Sequence, residues 1–178
     1  MSALYEAALE GDVEAVLQAG ADPNVQTSEG TPLCAAACWG HTRAVQALLD
    51  HGADPNQSEE GGYTPLLWAT EFGHADTVHV LLERGAEPTS LASAVAYGSP
   101  RIVKDLLDHG AQPTPDDLET AEAWAEADIE AELTDQLDGE VHRIPLQDGL
   151  ERIEVRSADG TLARETGHAE IVQLLRGR

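Results

Sequence analysis

The apolar positions of this 178-residue chain fall in short stripes that recur at a fixed distance. Within each stripe, Leu, Val and Ala recur three or four residues apart, which predicts amphipathic helices. The residues between the stripes recur too: Thr31-Pro32 matches Thr64-Pro65, Gly40-His41 matches Gly73-His74, and Gly52 matches Gly85, each 33 residues later. A fixed period of this length predicts stacked helical repeats rather than one globular core.

Each period contains the signals for a turn and two helices. The hydroxyl of Thr31 can cap a free backbone N–H and Pro32 suits the first helical turn, so a first helix is expected to begin there. Gly40 ends it, and a second apolar stripe follows. Near the N-terminus, Gly11 and Gly20 are nine residues apart, whereas the corresponding glycines of later periods are twelve apart. This predicts a second helix about one turn shorter, and a capping role for the first pair.

The Thr-Pro-Leu starts, Gly-His turns and Gly-Ala ends resemble the ankyrin repeat. The resemblance covers residues 1–139 and 158–176, and it implies an all-α ankyrin-repeat solenoid of about five helix pairs joined by β-turn fingers. We assign 1–139 to repeats one to four, the first a truncated cap, and 162–178 to a C-terminal helix pair. The family's Thr-Pro-Leu-His motif is altered, because Cys34 and Leu67 occupy its histidine position.

Residues 140–161 depart from the helical pattern. Apolar β-formers alternate with charged residues there, and Asp148-Gly149 between them is a strong two-residue hairpin signal. The sequence therefore predicts a β-hairpin insertion near the C-terminus, with strands at 141–146 and 150–156. The helices expected after it are a short one within 162–168 and a second at 169–175.

Aromatic residues are scarce, yet four of the seven occupy one repeat position. Each precedes the residue at the turn between two helices: Trp39, Phe72, Tyr97 and Trp124. In the ankyrin family this position lies on the concave binding face, so the resemblance implies an aromatic partner-binding strip. Tyr63 at a finger base would extend the strip, and Glu71 would make it acidic. Aromatic residues anchor many interfaces and attract cations. The alternative is that each ring covers the seam between neighbouring repeats.

The formal net charge of −23, from 33 acidic and ten basic residues, narrows the class of partner. Such a field repels nucleic acid and anionic lipid, so we expect a basic protein partner and neither nucleic-acid nor membrane binding. An acidic block runs from Asp116 to Glu140, ahead of most of the arginines. One hypothesis is that the arginines fold back on this block; the alternatives are that it faces a basic partner or is simply solvated. The arginines are Arg143, Arg152, Arg156, Arg164, Arg176 and Arg178.

No catalytic constellation is visible. The chain has no phosphate loop, no Gly-x-Ser-x-Gly and no His-Glu-x-x-His, and its histidines lack metal-like spacing, so no catalytic residue, metal or cofactor is predicted. We predict a non-enzymatic protein-interaction module that binds a basic partner through the concave aromatic groove. The rival hypothesis is a small-molecule binder or enzyme whose groove is closed into a pocket by the 140–161 hairpin. Self-association through exposed apolar surface is a third.

The cysteines and the N-terminus bear on localisation. Cys34 and Cys38 are four residues apart on one predicted helix and match neither a disulfide framework nor a zinc spacing, so reduced thiols are expected. Met1-Ser2 leads directly into the repeat pattern without a secretory leader, which favours a cytoplasmic protein. The single lysine beside abundant alanine and arginine is typical of a GC-rich bacterial genome.

Overall fold

The structure is a computed structural model that describes residues 2–18, 20–88, 91–146, 149–158 and 160–177. The chain divides into two compact units, Met1–Thr89 (unit 1) and Ser90–Arg178 (unit 2). Every helix in the described residues is too short or too polar to cross a membrane.

The described part of unit 1 forms three helix pairs. The first helices are α1 (Ala3–Glu10), α3 (Pro32–Cys38) and α5 (Pro65–Glu71), and the second helices are α2 (Glu14–Gln18), α4 (Thr42–Asp50) and α6 (Ala75–Glu83). The first helices pack in the order α1, α3, α5, and the second helices in the order α2, α4, α6. The 33-residue period is therefore the step from one stacked pair to the next. The short second helix predicted at the N-terminus is present: α2 has five residues, while α4 and α6 have nine.

The first helices begin at the predicted caps. The Thr31 hydroxyl accepts a hydrogen bond from the backbone N–H of Cys34 at 3.1 Å, and the Thr64 hydroxyl accepts one from Leu67 at 3.2 Å. Each cap satisfies one of the backbone donors that a helix start leaves free. A proline follows each threonine at the first helical position, where its missing N–H costs nothing.

In the second and third helix pairs of unit 1, a histidine ring fixes the inter-helix turn to the preceding pair. The Nε2 atom of His41 lies 3.0 Å from the carbonyl oxygen of Leu9, and that of His74 lies 2.9 Å from the carbonyl oxygen of Cys38. The ring of His74 also lies against Gly40, since a Cβ placed there would be 2.5 Å from its Nδ1. The Gly-His pattern is thus explained by close packing of consecutive repeats, in which the histidine ring of one lies against the glycine of the repeat before it.

An asparagine in each Asp-Pro-x-x turn connects consecutive turns. The side-chain amide of Asn24 donates to the carbonyl of Gly52 at 2.9 Å, and its oxygen accepts from the backbone N–H of Asp54 at 2.7 Å. Asn56 makes the same pair of bonds one repeat later, at 3.1 and 2.8 Å. These bonds satisfy backbone groups that neither helix can reach.

The interior of unit 1 is aliphatic. Leu48, Leu66 and Leu81 are at most 1% exposed, and the alanines of α3 and α5 let the helices approach closely. Because truncating a buried leucine to alanine commonly costs about 2–5 kcal/mol, these contacts are the main source of stability.

Unit 2 contains five helices and three strands among its described residues. In chain order they are α7 (Ala92–Tyr97), α8 (Pro100–Asp108), α9 (Pro115–Glu126), α10 (Ile129–Gln136), β1 (Glu140–Pro145), β2 (Glu151–Ser157), β3 (Gly160–Glu165) and α11 (His168–Arg176). The helix α9 begins with a capping box, in which Thr114 and Asp117 each bond to the other's backbone N–H. The acidic residues of its first turn also lie at the positive end of the helix dipole.

The predicted hairpin exists, but it belongs to a three-stranded antiparallel sheet with the order β1-β2-β3. β1 and β2 pair in a register that places Val141 opposite Val155. In the predicted turn, Gly149 has φ +78°, and Asp148 lies outside the described residues. The prediction of a short helix within 162–168 is wrong, because Gly160–Glu165 is the third strand, with Leu162 opposite Val155 of β2. Leu162 and Arg164 alternate with smaller residues, which is the period-two pattern of a strand. An amphipathic helix would instead need apolar residues three or four positions apart.

The partner of α9 is α11, although 41 residues separate them in sequence. α9 packs on α7, while α11 packs on α8 and α9, as first and second helices pack in unit 1. Gly167-His168 takes the place of the Gly-His turn: a Cβ on Gly98 would lie 2.4 Å from the His168 ring. Residues 127–166 are therefore inserted between the two helices of one pair. Our assignment of 162–178 to a helix pair is corrected accordingly, since α11 completes a pair that α9 begins.

The inserted residues have a small core of their own. Ile129 and Leu133 of α10 pack against Ile153 and Val155 of β2, and partly buried residues surround them: Trp124, Leu137, Val141 and Leu162. α10 lies against β2 and β3. The insertion is thus a folded helix-and-sheet element, larger than the hairpin that the sequence predicts.

Candidate partner-binding surface

A row of stacked rings lies along α5 in unit 1. The ring of Tyr63 stacks on Trp68 with centroids 4.7 Å apart, Trp68 stacks on Phe72 at 5.9 Å, and Phe72 stacks on His74 at 6.4 Å. Trp68 and Phe72 are four residues apart and so share one face of the chain at the end of the helix. Tyr63 is 38% exposed and Phe72 is 45% exposed. The row presents aromatic surface to solvent.

Trp39 occupies the same position one repeat earlier. It follows the last residue of α3 as Phe72 follows the last residue of α5. Its side chain is 63% exposed, the largest exposure of any large hydrophobic residue that the structure describes. A ring this exposed contributes little to a seam between repeats, because seam packing would remove most of its surface from water.

Glu59 holds the aromatic row in place. One carboxylate oxygen accepts the Trp68 indole N–H at 3.0 Å, and the other accepts the backbone N–H of Thr31 at 3.2 Å. The backbone N–H of Glu59 donates to the carbonyl of Tyr63 at 2.9 Å, which closes the finger. A single half-buried carboxylate therefore fixes Trp68 and joins the finger of one repeat to the first helix of the preceding one.

The surface around the row is acidic. Glu71 is exposed next to Phe72 in the chain. Residues 1–89 contain 14 acidic side chains, and their bases are Arg43 and Arg84. Arg84 is paired with Asp50 at 2.6 Å. The local field therefore attracts cations, as the net charge of the chain predicts.

The two cysteines of α3 do not provide a reactive thiol. Burial raises the pKa of Cys34 to about 12. Burial also raises the pKa of Cys38, and the neighbouring carboxylates Glu59 and Glu71 act in the same direction. Since the thiolate is the nucleophile, these shifts disfavour the reactive form of both groups at neutral pH. The described residues contain no group of three or more His, Cys, Asp or Glu side chains that could hold a metal ion.

The corresponding rings of unit 2 lie in a different environment. Tyr97 is only 3% exposed, and its hydroxyl has no hydrogen-bond partner within the part of the chain described. Burial raises its pKa to about 12. Trp124 is half-buried and stacks on His168 at 5.7 Å, as Phe72 stacks on His74. The structure therefore gives Tyr97 and Trp124 packing contacts, and it leaves Trp39, Phe72, Tyr63 and Glu71 accessible in unit 1.

Arginines of the inserted sheet cover both of these rings. The guanidinium carbon of Arg152 lies 5.6 Å from the centroid of Tyr97, and that of Arg164 lies 5.5 Å from the centroid of Trp124. Burial lowers the pKa of Arg164, although a guanidinium remains charged at neutral pH. Arg152 is also 3.2 Å from a carboxylate oxygen of Glu154. Each contact has the geometry of a cation–π interaction.

Two arginines do contact the acidic block. Arg143 pairs with Glu130 at 2.5 Å and with Glu151 at 3.0 Å, while Arg176 pairs with Glu122 at 2.6 Å. Arg152 and Arg156 pair instead with Glu154 inside the sheet. Arg178 lies outside the described residues. The hypothesis that the arginines fold back on the block thus holds for Arg143 and Arg176.

Unit 2 also contains a pocket of about 280 Å³, partly open to solvent. It lies between the end of α9, the start of α10 and α11, and the sheet. Its lining includes Trp124, Ile129, Arg143, Ile153, Thr166 and His168. Asp128 and Glu130 also line it, and Arg143 is paired with Glu130, so the pocket combines apolar contact with an ion pair rather than with an unbalanced positive charge.

Sequence reasoning missed Trp68 and Glu59. Trp68 falls in the apolar stripe of α5, which by itself indicates only a packing role, and its ring completes the row between Tyr63 and Phe72. The i,i+4 spacing of Trp68 and Phe72 was the available signal. No sequence signal identified Glu59, because its role depends on a finger bringing it to the indole nitrogen.

The fold defines a class: a helical-repeat protein in which consecutive helix pairs pack side by side. A comparison with protein-family models matches residues 4–92 to ankyrin repeats in three copies. The chain belongs to the ankyrin-repeat family, whose members generally mediate protein–protein interaction. A search of curated proteins found no match.

Proposed function

We propose that unit 1 binds a basic protein partner through its exposed aromatic rings. The observation that carries this proposal is the distribution of exposed large hydrophobic side chains. Those that the structure describes, Trp39, Tyr63 and Phe72, all lie in unit 1 near the ends of first helices or in a finger. Exposed aromatic residues beside carboxylates are the combination expected of a surface that recognises cationic side chains.

Each group has a defined role in this proposal. Trp39 and Phe72 are the anchors, and Tyr63 and Trp68 extend the apolar contact. Glu71 supplies a negative charge that the partner neutralises, and the acidic field of the chain speeds encounter at low salt. Tyr97 and Trp124, which share the repeat position of the anchors, stabilise unit 2.

The test is capture of partners from the lysate of the source organism at 0.05 and 0.15 M NaCl. Wild type is compared with Trp39→Ala/Phe72→Ala, and Glu14→Gln, an exposed charge change on α2, is the matched control. We expect one or more basic proteins that wild type and the control retain and the double variant loses. Circular dichroism confirms that the double variant is folded. Equal retention by all three proteins would contradict the proposal.

A second candidate function rests on the pocket of unit 2. We infer a small-molecule binding role for it from the meeting of Trp124 and Ile153 with the Arg143–Glu130 ion pair, a set that suits a flat ligand carrying both hydrogen-bond donors and acceptors. Native mass spectrometry of the purified chain would detect a retained ligand, and Arg143→Ala should release it. Self-association, the third hypothesis, predicts a molar mass above that of one chain in sedimentation.

We also propose that the repeats number five. Three pairs lie in unit 1, α7 and α8 form the fourth, and α9 with α11 forms the fifth around the insertion. The equivalent placement of His74 on Gly40 and of His168 on Gly98 supports this count.

A further inference from the structure

The inserted sheet of unit 2 has an accessible edge at β1. The strand order is β1-β2-β3, so among the described strands β1 has a neighbour on one side only. β3, at the opposite edge, lies against α7 and α10. Every residue of β1 is exposed or half-buried. A strand edge carries a row of backbone N–H and C=O groups, which can pair with a further strand.

The register shows which residues of β1 turn their backbone groups away from β2. The N–H of Leu146 donates to the carbonyl of Leu150 at 2.9 Å, so these two residues form a hydrogen-bonded pair. Such pairs alternate with non-hydrogen-bonded pairs along an antiparallel ladder. Glu151, opposite Pro145, follows this alternation, because its carbonyl accepts from the N–H of Thr166. The residues of β1 that face outward are therefore Val141, Arg143 and Pro145.

Two backbone donors on this edge are available to a partner. The N–H groups of Val141 and Arg143 point outward, and no group in the described part of the chain accepts from either of them. The carbonyls of the same residues point the same way. Pro145 has no N–H, and an edge strand accommodates proline at such an outward position. The side chain of Arg143 is 54% exposed, so this part of the edge is open to solvent.

The surroundings of the edge are acidic. Residues 128–140, which lead into β1, contain six acidic side chains and no basic one. The side chain of Glu140, at the start of β1, is 82% exposed. The positive charge of Arg143 is balanced by Glu130 at 2.5 Å and by Glu151 at 3.0 Å. An added strand with cationic side chains would gain cross-strand attraction here. A second copy of the chain would instead bring another net charge of −23.

We propose that β1 is a docking edge for an extended basic segment of a partner protein, which adds to the inserted sheet as a fourth strand. In this mode the backbone hydrogen bonds supply the affinity, and the side chains on either face supply the specificity. The site lies in unit 2 and uses none of the exposed aromatic residues of unit 1. It is therefore a second interaction surface, independent of the proposed function.

The first test uses labelled nonapeptides and the full chain at 0.15 M NaCl, with fluorescence anisotropy as the readout. In one peptide lysine alternates with threonine, and in its charge control glutamate replaces lysine. We expect the lysine peptide to bind with a dissociation constant below about 1 mM and the glutamate peptide to bind at least about 10-fold more weakly.

Two N-methylated forms of the lysine peptide test the strand geometry. One carries N-methyl groups on the lysines and the other carries them on the threonines, so the composition and charge are the same. In an added strand, alternate N–H groups face β1 and the others face solvent. We therefore expect one form to lose at least about 10-fold in affinity and the other to stay within about 3-fold of the unmethylated peptide.

A pair of variants tests the protein side of the same contact. Arg143→Ala and Arg143→Pro both remove the guanidinium, but only proline removes the outward N–H. Pro145 already occupies the same phase of β1, so the fold is expected to tolerate the change. We expect Arg143→Pro to bind the lysine peptide at least about 3-fold more weakly than Arg143→Ala does. Circular dichroism and the thermal midpoint check both variants, and if Arg143→Pro does not fold, the methylated peptides decide.

The outcomes also separate this site from the surface of unit 1. Trp39→Ala/Phe72→Ala should bind the lysine peptide within about 2-fold of wild type, and loss of the peptide in that variant would place it on unit 1 and overturn the inference. Equal binding of the two methylated forms, equal binding of the lysine and glutamate peptides, or no binding at 1 mM would overturn it too. A dimer of wild type that sediments as a monomer in Arg143→Pro would make the occupant a second copy, which also overturns the basic partner segment.

Discussion

Replacing Gly98 by alanine tests whether the end of β3 and the start of α11 pack tightly against the turn between α7 and α8. Gly98 has φ +85°, and a Cβ there would lie 2.2 Å from the carbonyl oxygen of Glu165 and 2.4 Å from Cε1 of His168. The backbone oxygen cannot move without displacing β3. Gly110 is the matched control, because its φ is +100° but a Cβ on it would meet nothing within 4 Å.

The expected loss in the free energy of unfolding has two contributions, the backbone conformation and the steric overlap. A non-glycine residue in the left-handed region costs about 1–2 kcal/mol, and the reduced freedom of the unfolded chain returns about 0.4–1 kcal/mol. Gly110→Ala should therefore lose about 1 kcal/mol. Gly98→Ala adds overpacking, typically about 1–3 kcal/mol, and should lose about 2–4 kcal/mol.

The assay is urea unfolding followed by the fluorescence of Trp124. In a Trp39→Phe/Trp68→Phe background Trp124 is the remaining one of three tryptophans, so the signal reports on unit 2. Losses for Gly98→Ala and Gly110→Ala that agree within about 0.5 kcal/mol would refute the close packing of β3 and α11 on this turn, and with it the pairing of α9 with α11.

Three further predictions concern unit 2. Tyr97→Phe should be neutral or stabilising by up to about 1 kcal/mol in urea unfolding, because it removes a buried hydroxyl that has no hydrogen-bond partner among the described residues. Tyr5→Phe is the comparison: it breaks a 3.0 Å hydrogen bond to a backbone carbonyl and should cost about 1 kcal/mol. Burial lowers the pKa of His168 below its unfolded value of 6.5, so the unfolded chain binds the proton more readily and stability is lost as the pH falls below 6.5. The urea midpoints of wild type at pH 7.5 and 5.5 should therefore differ, and the difference should shrink in His168→Gln. A difference that is unchanged in the variant would contradict this. Arg176→Ala removes an exposed pair with Glu122 and should cost less than about 1 kcal/mol, a loss that disappears in 1 M NaCl.

The repeats could be predicted from sequence because their determinants are local. Thr31 caps the helix that its own residues form, and Gly40-His41 makes the turn where the period places it. The hairpin strands were predicted to within a residue or two, since alternation and the Asp-Gly signal act over short distances. Local patterns and the final fold agree wherever one repeat carries all the necessary information.

What could not be predicted depends on contacts between distant segments. The sequence 162–168 resembles a first helix, but pairing with β2 makes its first part a strand, and this tertiary contact overrides the local pattern. The pairing of α9 with α11 likewise depends on the insertion having its own core. Tyr97 and Trp39 occupy equivalent positions of the repeat, so the sequence did not predict that Tyr97 would be buried and Trp39 exposed. The arginine over Tyr97, Arg152, lies more than 50 residues further along the chain.

The position of the insertion explains why the aromatic rings at the ends of the first helices (the helix-end rings) differ in exposure between the two units. A repeat contacts only its neighbours, so a segment inserted at an inter-helix turn leaves both helices free to pack, provided that its ends stay close. That turn is also where each helix-end ring lies. An insertion there must therefore meet the rings of its own pair and of the pair before it, Trp124 and Tyr97, and it meets both with arginine. No such segment interrupts the turns of α3–α4 or α5–α6, where Trp39 and Phe72 are 63% and 45% exposed.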